Sequence, residues 1–104
     1  SINPRTEERA EDAANDCNNY LRYRSDEASM WDLGAACYLN LKKYDSALVY
    51  SNRAIEMEPS TGAFYINRSL IRLYRGEKDL ARTDAQKAQN LGMKLDPVLL
   101  QLQP

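Results

Sequence analysis

The sequence predicts an all-α fold, built as a stacked array of helix pairs. Three observations lead there. The first is an internal echo: Ala13, Ala47 and Ala81 recur at a fixed step, as do Cys17, Ser51 and Ala85, and Tyr20, Ala54 and Ala88. That step of about 34 residues belongs to arrays of helix–turn–helix repeats. The second is apolar periodicity at three- and four-residue spacing, with no strand-like alternation. The third is punctuation by Gly, Pro and capping residues, which places breaks near residues 25, 43, 60, 77 and 94.

Each element follows from its own residues. Over 7–23, Ala10, Ala13, Ala14, Cys17, Tyr20 and Leu21 share one helical face. Ser25 or Asp26 can cap the next helix, because a short side-chain oxygen accepts a bond from a free first-turn N–H. That helix is expected from about Glu27 to Leu41, with Trp31, Gly34, Ala35, Tyr38 and Leu41 on one face. Tyr44, Asp45 and Ser46 open a third, which carries Ala47, Leu48, Ser51, Ala54, Ile55 and Met57. Pro59 ends it: proline lacks an N–H and disfavours a helical residue before it. Ser60, Thr61 and Gly62 restart the pattern, which runs through Phe64, Tyr65, Ser69, Leu70, Leu73 and Tyr74 to about Arg75. Gly76 reads as a helix stop. Asp79 to Leu91 is the partner helix, with Gly92 free to turn left-handed after it. Asp96 then reads as an N-cap with Pro97 at the first helical position, opening a short last helix to Gln103.

Composition narrows the function classes. The 104 residues suit one domain, spanning the whole of 1–104. Fourteen basic residues against 15 acidic ones leave a formal charge of −1. That balance argues against general nucleic-acid binding, which needs a basic face to displace counterions. No apolar run approaches the roughly 18 residues of a membrane span, so direct membrane insertion is not expected. No signal-peptide pattern opens the chain, and the compartment stays open. With no histidine, the commonest general base and metal ligand is missing. Cys17 and Cys37 are too few for a disulfide framework and read as small core residues. No nucleophile–base pair, metal set or phosphate loop stands out, so neither an enzyme nor a cofactor or metal site is expected.

Trp31, Tyr38, Ala47, Ala54 and Pro59, with Tyr44-Asp45 between the helices, resemble the tetratricopeptide repeat at the spacings of that family. Gly34 stands at the family's leucine place and Ser51 at its second-helix aromatic. The following residues, Asn67-Arg68-Ser69, Gly76, Ala81, Asp84, Ala85 and Ala88, are similar to a second copy; Arg72 and Met93 depart from it. The resemblance divides the chain into an N-terminal half-repeat helix (1–26), two repeats (28–61 and 62–95) and a C-terminal capping helix (96–104). It implies a right-handed superhelical array of antiparallel helix pairs, an α-solenoid. In such packing Ala35, Ala47 and Ala54 let helices approach, and Trp31 and Tyr38 fill the gaps beside them. These five, with Ala81 and Ala88, are expected to be mostly buried.

The same resemblance implies a concave groove lined by first helices, holding a peptide or helix of a partner protein. Its residues here are Asp32, Ala36, Leu39 and Asn40 from one helix, and Ile66, Asn67, Leu70 and Tyr74 from the next. The mixture of apolar anchors and amides suits a short peptide. Asn67 stands out, because an amide both donates and accepts. Leu39 and Leu70 read equally as rim core. The carboxylate clamp that part of the family uses for acidic chaperone tails is not expected. Only Asn67 matches it; Asp32 and Ala36 replace its Lys and Asn, and Pro97 and Gln101 replace its basic pair. Arg68, Arg72 and Arg75 share one flank. They are expected to pair with Asp79 and Asp84, and the resemblance implies Arg68 with Asp84 foremost.

The competing reading is a structural or homo-oligomerisation module that stacks through end faces exposing Tyr20, Leu21, Leu99 or Leu102. An accessory domain of a larger protein is a further form of it.

Overall fold

In a computed structural model, the protein is described at residue 15 and residues 26–103. The expected helix over 7–23, with Cys17, Tyr20 and Leu21, lies outside the described residues apart from Asn15, which is helical. The described residues form five α-helices and no strand: α1 (Ala28–Asn40), α2 (Tyr44–Met57), α3 (Gly62–Tyr74), α4 (Lys78–Asn90) and α5 (Pro97–Leu100). The helices pack in adjacent pairs, α1 on α2 and α3 on α4, with α2 joined to α3 and α1 touching α3.

Helix ends follow the expected punctuation, with three differences. First, α1 starts one turn position later than a Ser25 or Asp26 cap would place it: its N-cap is Glu27, without a side-chain cap bond. Second, α5 is a single turn that stops at Leu100 and does not run to Gln103. Third, α1 ends on a left-handed lysine. The Lys42 N–H bonds Leu39 O at 2.9 Å and the Lys43 N–H bonds Tyr38 O at 2.9 Å, with Lys42 at φ 61°. The same pair of bonds closes α3 through Gly76 (φ 87°) and α4 through Gly92 (φ 91°). This closing motif requires a left-handed residue, a place usually taken by glycine because it has no Cβ to clash.

Alanines set the helix contacts. Ala35, Ala47, Ala54, Ala81, Ala85 and Ala88 are all 0% exposed. With only a methyl group between them, the backbones come close enough for the Ser69 hydroxyl on α3 to donate to the carbonyl of Ala81 on α4, at 2.6 Å. Larger side chains fill the flanks: Ile71 packs with Ala35 and Ala47, while Phe64, Tyr65 and Leu99 join Ala54, Ala81 and Ala88.

Two expectations of burial are corrected. Trp31 and Tyr38 are half-buried, not mostly buried. They stand two turns apart and receive Tyr50 of α2 edge-on, with ring centroids at 5.3 and 5.1 Å. This is the preferred geometry for the ring quadrupoles, and it leaves part of each ring at the surface. Leu99 and Leu102 do not form an exposed end face. They are 0% and 8% exposed, because the α5 turn folds them onto the main core. Val98 and Leu100 face outward in their place. Cys37 is a buried free thiol, as a small core residue should be.

The alanine contacts should tolerate no added bulk. Ala47→Leu is expected to cost about 1–3 kcal/mol, because a closely packed site must shift to admit it. Val49→Ala, two residues on and largely exposed, should stay within about 0.5 kcal/mol. Urea denaturation followed by circular dichroism separates the two; equal effects would contradict the packing.

Candidate functional site

Helices α1 and α3 bring some of the expected groove residues together. Leu39 and Asn40 at the end of α1, and Leu70 and Tyr74 at the end of α3, line one open depression of about 430 Å³ with Lys42 and Tyr44. Leu39 and Leu70 are half-buried, each backed by a core cluster, while Tyr74 is 57% exposed. The anchors are therefore held by packing, and the tyrosine is presented. The ring of Tyr74 lies nearly parallel to that of Tyr44, at 12° and 6.3 Å between centroids.

The other four expected residues stand outside that lining. Ala36 is half-buried on α1, and Ile66 packs against the main core. Asp32 and Asn67 meet each other: the Asn67 Nδ2 group donates to both carboxylate oxygens of Asp32, at 2.9 Å each. The donor that sequence reasoning offered to a peptide is thus engaged within the fold. Burial pushes the Asp32 carboxyl above its usual range, and the Asn67 amide partly offsets the rise.

The arginine flank is a structural tie. Asp84 is almost fully buried and accepts from Arg68 Nε at 2.9 Å, Arg68 Nη2 at 2.8 Å and Arg72 Nη1 at 2.7 Å. Arg68 also reaches Asn52 Oδ1 on α2, at 3.1 Å. One carboxylate thereby joins α3 to α4, and through Arg68 to α2. Arg75 departs from the expected pattern. It lies 3.5 Å from Asp45 and 3.8 Å from Glu77, while Asp79 is next to Arg82.

Lys42 and Tyr44 are the lining residues that sequence reasoning missed. A signal was present for Lys42: one repeat step later stands Gly76, and a lysine in a glycine's place marks a left-handed turn. Among the described residues no group of three or more His, Cys, Asp or Glu side chains gathers as metal ligands would. None of the described helices is long and apolar enough to cross a membrane. No known protein family matches the chain, and none of the curated proteins matches its sequence.

Two outcomes follow from the polar contacts. Asp84→Ala strands two half-buried guanidinium groups and should cost about 3 kcal/mol. Asp79→Ala, on the same helix with its side chain 97% exposed, should cost under about 0.5 kcal/mol. Chemical denaturation reads both.

For Asp32 the sign is set by its raised pKa: the folded state holds the proton more tightly than the unfolded state. Its contribution is therefore most favourable below the unfolded carboxylate value of about 4 and is lost as pH rises through the folded value. Asp32→Asn keeps an acceptor for Asn67 and removes the desolvated charge. It should raise the melting temperature at pH 7, and the gain should shrink as pH falls towards about 4. A gain independent of pH would contradict this origin.

Proposed function

We propose that the chain is a tetratricopeptide-like scaffold that binds a peptide or helix of a partner protein across the ends of α1 and α3. On this reading the helix pairs are antiparallel and continue as a right-handed superhelix, whose first helices form the concave side. The observation that carries it is the joint lining of one depression by Leu39, Asn40, Leu70 and Tyr74. These residues come from corresponding ends of α1 and α3. A binding face built from such positions is what a repeat array produces when each unit adds one helix to the same side. The residue types fit the task. Two backed leucines and an exposed tyrosine supply apolar and aromatic contact, and Asn40 supplies an amide for peptide backbone.

The chemistry of the depression favours binding over catalysis. Its lining offers apolar surface, an amide, two phenol rings and an ammonium group, with no carboxylate or thiol to act as base or nucleophile. A second reading, association through the C-terminal end, draws on the exposure of Val98 and Leu100 at 40% and 49%.

The test is selection of binding peptides from a random library, followed by amide chemical-shift mapping. Shifts should centre on Leu39, Asn40, Leu70 and Tyr74. Tyr74→Ala should weaken the selected peptide by about 1–2 kcal/mol, as loss of an exposed aromatic anchor does, and should scarcely change the melting temperature. Shifts centred on Val98 and Leu100, with concentration-dependent sedimentation, would favour the end-face reading instead.

A further inference from the structure

We propose that the lip of this groove formed by Lys42, Lys43 and Arg75 selects peptides carrying an acidic side chain beside the apolar anchor. The inference rests on the peptide-groove reading and adds the chemical class of the ligand.

The argument starts from the backbone. Lys42 is the one described non-glycine residue with positive φ. The bonds that close α1 around it are those that close α3 around Gly76, one repeat step later. The turn therefore needs a left-handed residue, and glycine meets that need without strain. A lysine there sets its Cβ against the following carbonyl. Strain of this kind persists where the surrounding fold enforces it, and it gathers at binding sites. What the strained position gains is a side chain, and the surroundings indicate its use.

Lys42 lines two adjoining hollows. One is the depression with Leu39, Leu70 and Tyr74. The other, of about 520 Å³, runs past Lys43 and Arg75 to the first turn of α2. Tyr44 and Tyr74 wall both, so an anchor in the first hollow lies within a residue or two of the second. The charges there are unbalanced. Among the described residues Lys42 and Lys43 enter no ion pair, and Arg75 is held only loosely, at 3.5 Å from Asp45 and 3.8 Å from Glu77. Asp45 is the sole acid in the lining, against three cations. The first turn of α2 adds to the positive side, because its N-cap, Lys43, makes no side-chain cap bond to the free N–H groups. An apolar seat bordered by a cationic lip is complementary to a peptide with an aliphatic residue followed closely by Asp or Glu.

The test uses three fluorescein-labelled pools of eight-residue peptides. Each fixes one leucine, and the next two positions are Glu-Glu, Gln-Gln or Lys-Lys; the remainder is random. Fluorescence anisotropy with the wild-type chain should rank the pools Glu, Gln, Lys. The Glu pool should bind about fivefold tighter than the Gln pool, the upper range for solvent-exposed ion contacts, and the gap should narrow as salt rises. Lys42→Gly should narrow the gap between the Glu and Gln pools to about twofold, since Lys43 and Arg75 remain, while melting no lower than wild type, because glycine accepts the left-handed turn. Equal binding of the Glu and Gln pools by the wild-type chain would overturn the acidic preference and leave the groove standing. So would a preference left undiminished by Lys42→Gly. Failure of all three pools to bind, or binding indifferent to Tyr74→Ala, would overturn the groove reading and this inference with it.

Discussion

Close approach of helices at alanine is the constraint on which the rest of this structure depends. Six alanines lose all exposure at the helix contacts, and each lets two backbones come nearer than any larger side chain would. The cost of that choice is small apolar area per residue, since a methyl group contributes far less burial than a branched chain. The compensation comes from the flanks, where Ile71, Phe64, Tyr65 and Leu99 supply bulk beside the alanine contacts. The site inherits this geometry: Leu39 can share a depression with Leu70 because the helices carrying them are held together by these contacts.

Two carboxylates, Asp84 and Asp32, are tied in different ways. Asp84 is balanced by two guanidinium groups, and its bonds span three helices through Arg68 and Asn52. Such a tie adds direction to packing that alanine alone leaves free to slide, because hydrogen bonds have preferred angles and methyl contacts do not. Among the described residues, no cation joins the hydrogen bonds that hold Asp32. It relies on the Asn67 amide, and burial raises its pKa. A neutral donor lowers the cost of burying a carboxylate but does not cancel its charge.

The binding surface proposed here sits at helix ends and not along helix faces. The difference has a physical basis. Of the groove residues expected along the faces of α1 and α3, Asp32 and Asn67 are spent on each other and Ile66 on packing. At the ends, the Schellman-type turns bring loop residues beside the last apolar side chains. Lys42, Tyr44 and Tyr74 meet there, and there the chain departs from its own repeat by placing lysine where the next unit has glycine.

Among the described residues, the sequence by itself determined the helices, most of their breaks and the alanine contacts. Each of these is written in local pattern. A periodicity of three and four marks the buried stripe, Gly and Pro mark the ends, and a repeated small residue marks a close contact. Only the tertiary structure decided that Asn67 gives its amide to Asp32, and that Trp31 and Tyr38 keep part of their rings exposed around Tyr50. It also decided that α5 turns Leu99 and Leu102 inward, and that Lys42 turns left-handed beside Tyr74. These outcomes depend on how far one helix is displaced and rotated against another. A shift of one residue along a helix turns a side chain by about 100°, so the pattern of a single helix fixes its buried face but not the side chain it meets.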